Sequence, residues 1–269
     1  MDPIVLKEIV RYKKGGHAKV EDELSVEEPL EIRVRYTMSN GTSQSVSIAV
    51  TMRTPYDDEF LARGFLFTEG IIADPSHIIR VEKLDDNIIE LELRHNVAFD
   101  PNTFTRNFYA SSSCGVCGKA SIESIHSETI HLPWKSKFKI KREHLMELPS
   151  KLHALQLNFG KTGGIHASAL IDSVGAFIDV KEDVGRHNAM DKLIGANNGY
   201  PLVDSMILVS GRASFELIQK ASKAGVGLVA AIGAPSSLAV QLAEEQGMTL
   251  VGFLKKDGFN VYSGTERIH

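Results

Sequence analysis

The sequence predicts a mixed α/β (α+β) fold: a three-layer α/β part over residues 141–269 with a β-rich part over 1–140 packed on it. Two observations carry this reading. Apolar residues recur every second position through the first third of the chain. After Ile165 short apolar runs alternate with helical patterns.

In the first third, Ile32, Val34, Tyr36 and Met38 alternate with polar residues, as do Val46, Ile48, Val50 and Met52, with Asn40-Gly41 between them. That is a hairpin pattern, since the apolar period is two and not 3.6. Thr54-Pro55-Tyr56-Asp57-Asp58 opens a helix with carboxylates near its start and Phe60, Leu61, Phe65 and Leu66 on one side. A second hairpin is expected from Ile79–Leu84 and Ile88–Leu93, turning at Asp85-Asp86-Asn87, and Phe104–Ala110 reads as a further strand. Lys119–Ser127 has helical spacing. Over Trp134–Arg142 the lysines 135, 137, 139 and 141 share one face of an extended run, either an edge strand guarded by cations or a surface for an acidic partner. Pro149 is expected to divide the next helical pattern into Glu143–Leu148 and Ser150–Phe159.

The remainder reads as a hairpin (Ile165–Ile171, Ala176–Val180), a helix (Arg186–Ala196), a buried strand (Ser205–Ser210) and a helix (Phe215–Ala224). A strand (Gly227–Ile232), a helix (Ser237–Gln246) and a strand (Met248–Leu254) follow. Short apolar strands separated by helices imply parallel pairing with both faces covered.

Composition narrows the function classes. A formal charge of −4 gives no whole-chain pull toward nucleic acid or anionic membrane, so any anion site must be local. No window approaches 18 uninterrupted apolar residues, and the first residues carry no basic-then-apolar leader. With only two cysteines, a reducing, cytoplasmic setting is expected.

Those two cysteines, Cys114 and Cys117, stand in Ser113-Cys114-Gly115-Val116-Cys117-Gly118. Reactivity more than packing decides whether free cysteines are kept, and several chemistries are open. A structural zinc site needs four ligands; His126 and His131 lie downstream, but the interval is short for a Cys₂His₂ finger, and no metal is expected. The His-x-Glu and Pro-Cys-x-x-Cys pattern of a zinc deaminase is missing. A rigid dithiol redox site fits poorly with glycines at 115 and 118. Sulfur carriage, in which a thiolate is reversibly capped as a persulfide, suits a glycine-rich loop that must enter more than one site.

In the C-terminal part, Ser210-Gly211-Arg212 follows a buried strand and opens a helix, where free backbone N–H groups favour phosphate. Phe253-Leu254-Lys255-Lys256-Asp257-Gly258 lies at another strand end, with lysines for charge and an aromatic for a flat surface; a solvated turn is the plainer reading. Arg186 and His187, in a helix's first turn, are poised to meet an anion or are simple surface residues.

Together these segments resemble the FdhD family, sulfurtransferases required for active formate dehydrogenase. The likeness runs through Arg53-Thr54-Pro55, Gly64-Phe65-Leu66-Phe67-Thr68-Glu69-Gly70, the cysteine loop and Thr162-Gly163-Gly164-Ile165-His166-Ala167. It continues through Glu182-Asp183-Val184-Gly185-Arg186-His187-Asn188-Ala189, Ser210-Gly211-Arg212 and Ala234-Pro235-Ser236-Ser237. The resemblance implies a homodimeric carrier that takes sulfur from a cysteine desulfurase and hands it to the bis(molybdopterin guanine dinucleotide) molybdenum cofactor, for use by formate dehydrogenase. It implies a persulfide on Cys114 and cofactor binding on Phe253, Leu254, Lys255, Lys256, Asp257 and Gly258. It further implies a cytidine-deaminase-like fold without that fold's zinc residues. Gly211 and Arg212 would then serve the nucleotide end, for which GDP is a fragment. A chaperone that only holds the cofactor is the alternative.

Overall fold

A computed structural model describes residues 2–38, 40–97, 99–101, 133–197 and 200–269. The expected strand Phe104–Ala110, the cysteine pair and the expected helix Lys119–Ser127 lie outside the described residues.

Twelve strands and six α-helices are described. β1 (Ile4–Lys13) and β2 (Gly16–Ser25) form a hairpin of their own, which the period-two reading missed because its apolar and charged residues mix on both faces. β3 (Glu28–Thr37), β4 (Ser43–Arg53), β5 (Ile78–Asp85) and β6 (Ile88–Leu93) make a four-stranded sheet in the order β4-β3-β6-β5. Both expected hairpins are present, and β3 joins them by pairing parallel to β6. Helix α1 (Asp58–Thr68) follows β4 as expected.

Helices α2 (Arg142–Leu155) and α3 (Leu157–Thr162) precede the hairpin β7 (His166–Ile171) and β8 (Phe177–Asp183). Then come α4 (Arg186–Ala196), β9 (Met206–Val209), α5 (Phe215–Lys223), β10 (Leu228–Ala231), α6 (Ser237–Glu245), β11 (Thr249–Lys255) and β12 (Gly258–Ser263). The six-stranded sheet has the order β12-β11-β10-β9-β7-β8. The three middle strands β9, β10 and β11 are parallel, while β7 runs against both β8 and β9.

Each face of this sheet has its own core. On one, Leu145, Leu148 and Leu152 of α2 join Phe138 and Ile140 over Ala169, Leu208 and Ala230. On the other, Leu193, Leu217 and Leu242 of α4, α5 and α6 pack on Ile207, Val229 and Leu250. That core continues through α1 into Leu30, Ile32 and Leu91 of the four-stranded sheet. Thus helices cover both faces of the sheet in three layers, and apolar packing passes without a break from the N-terminal strands to the C-terminal ones.

Helices α1 and α4 cross at glycines. A Cβ on Gly64 would sit 1.9 Å from the Asp191 carbonyl oxygen, and one on Gly195 2.0 Å from that of Phe60. Only hydrogen at these positions lets the two backbones touch.

Three expectations need correction. Helix α2 runs unbroken through Pro149, and the break falls at Gln156. A proline inside a helix costs about 3 kcal/mol. Burying Leu145, Leu148 and Leu152 offsets this at about 1.5–3 kcal/mol each. The Lys135–Lys141 run does alternate, with Ser136, Phe138 and Ile140 buried and the lysines exposed, but it is no strand. Its one bridge joins Ile140 to Ile268, and its buried side chains hold it extended. Finally, the sheet does not end at β11: Lys255–Gly258 is the turn that the plainer reading expected, and it leads into an unforeseen β12.

Candidate functional site: the carboxyl edge of the six-stranded sheet

Because β8, β9, β10 and β11 point the same way, their carboxyl ends share one edge, and α4, α5 and α6 begin there. The two loops at its centre are locked to each other. Gly233 N–H donates to Gly211 O (2.9 Å), Ala213 N–H to Ala234 O (3.2 Å), and Ser236 N–H to Ala213 O (3.0 Å). Phe253 N–H donates to Gly233 O at 3.0 Å, tying the end of β11 to the same ladder. A Cβ on Gly233 would lie 2.9 Å from Gly211 O, and one on Gly211 3.3 Å from Nδ1 of His166, so both glycines are set by close approach. The Ser236 hydroxyl caps α6 by accepting from Ala239 N–H (3.3 Å).

Four cationic or titratable groups meet at this edge. Arg212, exposed in the loop before α5, forms no ion pair among the described residues. Arg186 begins α4; its Nε is buried and has no hydrogen-bond partner among the described residues. His166, at the start of β7, senses its surroundings: burial and then the Arg186 guanidinium push its imidazole below the usual range, Asp183 pulls the other way, and Arg212 adds to the lowering. His166 is therefore neutral near pH 7, able to accept or donate one hydrogen bond without adding charge. Buried His187 reaches Ser214 Oγ at 3.3 Å and Glu216 at 3.9 Å, which ties it to the first turn of α5.

Behind the edge, the rest of the Glu182–Ala189 motif is a scaffold. Asp183 is fully buried; it contacts Lys192 Nζ at 2.7 Å and accepts from the N–H groups of Thr54 (3.1 Å) and Gly185 (2.8 Å). Burial pushes its carboxyl up, with Lys192 opposing. Asn188 donates to Met52 O (2.7 Å) and accepts from Thr51 Oγ1 (3.2 Å). These bonds pin the first turn of α4 to the end of β4 and so fix where Arg186 stands.

A second buried cluster lies deeper. Lys220 Nζ meets both Asp191 oxygens at 2.9 Å, Glu69 at 2.8 Å and Thr68 Oγ1 at 2.8 Å. Burial raises the Asp191 carboxyl to about 6, against the pull of Lys220, and Glu69 adds to the rise.

Of the residues expected to bind nucleotide, Gly211 and Arg212 stand at the centre of the edge. Phe253 adjoins them, since only Gly233 separates its backbone from Gly211. Leu254 is buried and serves the core, not a ligand. Lys255, Lys256, Asp257 and Gly258 form the hairpin tip, and a concavity of ≈ 550 Å³ lies between Phe253, Lys255, Asp257, Gly258, Phe259 and Asn260. Cys114 and Cys117 lie outside the described residues. His166 stands in the Thr162–Ala167 motif, but its place opposite Asp183 and beside Gly211 is set by register, a tertiary fact. Asp183 and Lys192 lie nine positions apart, too far for the helix i,i+4 rule to flag.

A nucleotide tail fits this edge on two counts: a buried guanidinium nitrogen lacks a partner among the described residues, and glycines leave the backbone open to close approach. Fold and site together define a mixed α/β protein whose sheet gathers Arg186, Arg212 and two close-packed glycine loops at its carboxyl edge. The chain belongs to the FdhD/NarQ family, whose model matches residues 25–269. It is 44% identical over 276 residues to the sulfur carrier protein FdhD of Streptomyces coelicolor, covering 97% of this chain and 94% of that one. The protein of the same name from Picrophilus torridus is 44% identical over 253 residues, covering 93% of each. The fold also matches, with a TM-score of 0.77 and full coverage of both chains at 23% identity, a crystal structure described as a formate dehydrogenase accessory protein from Desulfotalea psychrophila.

Proposed function

We propose that this chain is a sulfur carrier that serves formate dehydrogenase by moving persulfide sulfur from a cysteine desulfurase to the bis(molybdopterin guanine dinucleotide) cofactor. The names of its relatives support the carrier role. The observation that carries the nucleotide half is the pair Arg186 and Arg212, neither in an ion pair among the described residues, beside the Gly211 and Gly233 loops.

In this reading the Cys114 thiolate attacks the outer sulfur of the donor's persulfide. The donor's S–S bond breaks, its cysteine leaves as a thiolate, and a new S–S bond forms on Cys114. Cys117 shares the cargo or helps release it. The guanine nucleotide tails of the cofactor dock at the carboxyl edge: their phosphates face Arg212, Arg186 and the first turns of α4 and α5, where free N–H groups and the helix dipole favour negative charge. Neutral His166 offers a hydrogen bond there without repelling the arginines. Lys255 and Lys256 add a softer positive field at the hairpin tip. The carrier works as a homodimer in the cytoplasm; among the described residues no helix is long and apolar enough to cross a membrane.

GDP tests the docking half. The full chain is expected to bind GDP, with affinity falling as salt rises, because salt screens fixed cations. No binding at low salt would refute the nucleotide site and leave the cysteine chemistry to be judged separately.

A further inference from the structure

Away from the carboxyl edge, the segment that leads into α2 carries four exposed lysines at alternate positions, 135, 137, 139 and 141. Ser136, Phe138 and Ile140 between them are buried, so the charged side chains share one side. In an extended run such alternate side chains stand about 7 Å apart. Residues 133–142 include no aspartate or glutamate. The carboxylates that adjoin the row are already engaged: Glu143 pairs with Arg142 at 2.8 Å, and Glu266 of the C-terminal tail with Arg267 at 2.6 Å. None of the four lysines forms an ion pair among the described residues. By contrast, exposed Lys19, Lys83 and Lys151 each hold a carboxylate at 2.8–2.9 Å.

The backbone of the same segment is satisfied on one side only. Ile140 N–H donates to Arg267 O (2.9 Å), His269 N–H to Ile140 O (3.2 Å) and Arg142 N–H to His269 O (2.9 Å), so the even-numbered residues face the C-terminal tail. In an extended chain the odd-numbered groups point the other way. The N–H and C=O groups of Lys137 and Lys139 make no hydrogen bond among the described residues. Here the lysines do not guard a sheet from stray strands, because the run belongs to no sheet and has a single bridge, Ile140 to Ile268. At the head of the row stands Trp134, 52% exposed. Its Cβ is seated where a Cβ on Gly247 would come within 2.7 Å, so its base is fixed while the indole meets solvent.

We infer that residues 134–141 are a docking strip for an extended acidic segment of a partner protein. Such a segment adds along the open backbone of Lys137 and Lys139 as a further strand. Carboxylates at every second position, with the same spacing as the lysines, then meet the row one by one. A neutral strand leaves the lysines without partners, and a second copy of the strip is repelled, so charge selects the occupant. A nucleic-acid strand could match the charge but has no peptide edge to pair with the N–H and C=O groups, and the chain's formal charge of −4 opposes a long polyanion.

The test is calorimetry on the full chain with a blocked nine-residue peptide of alternating glutamate and threonine. A peptide of the same composition with its glutamates contiguous and a ten-nucleotide oligothymidylate are run beside it. The alternating peptide is expected to bind at low salt and to weaken as salt rises. The contiguous peptide and the oligothymidylate are expected to bind more weakly. Trp134 is the only tryptophan in the chain, so a change in its emission on titration reports that the peptide lies on the strip. Loss of two exposed ion pairs corresponds to about a 2–30-fold fall in affinity, expected for Lys137→Ser with Lys139→Ser. Lys137→Glu with Lys139→Glu should abolish binding, and Lys137→Arg with Lys139→Arg should keep it. All three pairs of changes are on exposed side chains, and their melting temperatures should match wild type. Absence of peptide binding at low salt, equal binding of the two peptides, tighter binding of the oligothymidylate, or undiminished binding in the folded glutamate variant would each overturn the strip.

Discussion

Lysines and arginines in this protein live in two different worlds. In the interior, Lys192 and Lys220 are almost completely buried and each is held by a carboxylate within 3 Å: Asp183 for the first, Asp191 and Glu69 for the second. At the carboxyl edge of the six-stranded sheet, a few residues away in the same segments, Arg186, Arg212, Lys255 and Lys256 form no ion pair among the described residues. Burying a charge is tolerable only with a partner, so the interior cations are part of the fold. Cations gathered at a glycine-lined edge without protein partners are free to meet a ligand's charge. The Glu182–Ala189 motif contains both kinds: Asp183 and Asn188 fasten α4 in place, and Arg186 uses the position so created.

The contrast breaks most visibly in the interior. Lys220→Met leaves Asp191 and Glu69 facing each other without their shared cation and is expected to lose about 3–5 kcal/mol of stability, read as a lowered urea midpoint. If the midpoint hardly moves, the buried cluster is not part of what holds α1, α4 and α5 together.

Arg212→Ala should behave in the opposite way. Its stability stays within about 0.5 kcal/mol of wild type, as for an exposed residue. GDP affinity falls by a factor corresponding to about 1.5–3 kcal/mol, the worth of a charge-assisted contact. A large fall in melting temperature with GDP binding intact would reverse the assignment of this arginine.

A pH series sharpens the interior side. The folded Asp191 carboxyl stands at about 6, above its ordinary value near 3.8. The native state therefore takes up this proton before the unfolded chain does, and stability from this group rises as pH falls through 6 and levels off below about 4. Asp191→Asn lacks that proton, so the stability of wild type relative to the variant should increase between pH 7 and pH 4. A difference independent of pH would show that Asp191 does not titrate in this window.

The smallest expected effect is at the hairpin tip. Lys255→Ala combined with Lys256→Ala should weaken GDP binding less than Arg212→Ala, because a lysine acts on phosphate as a point charge on a flexible stem. A larger effect from the lysines would move the phosphate position toward the tip.

Much of this was legible in the sequence, for identifiable reasons. The two N-terminal hairpins, α1, and every strand and helix from β7 to β11 follow from apolar period and turn residues, and α4 falls on Arg186–Ala196 as read. Pro149 misled because local propensity was weighed without the three leucines that bury α2. The β1–β2 hairpin was missed because neither of its faces is clearly apolar, and β12 because its alternation is masked by Gly258 and Asn260. Gly211 and Arg212 lie in the loop between β9 and α5, where the strand-to-helix pattern puts them. The placement of His166, Phe259 and the interior partners of Lys192 and Lys220 was not legible, since they are brought together only by register and by helix packing. Leu254 shows the reverse failure: a segment expected to bind ligand alternates, and one of its residues belongs to the core.

The most direct test of the carrier role is to incubate the chain with a cysteine desulfurase and free cysteine, trap reactive thiols with an alkylating agent, and map the products by mass spectrometry. The account predicts one additional sulfur on the peptide containing Cys114. That sulfur disappears in Cys114→Ala, remains in Arg212→Ala, and is reduced less in Cys117→Ala. A wild-type chain that gains no sulfur, or a Cys114→Ala chain that loads fully, would contradict it.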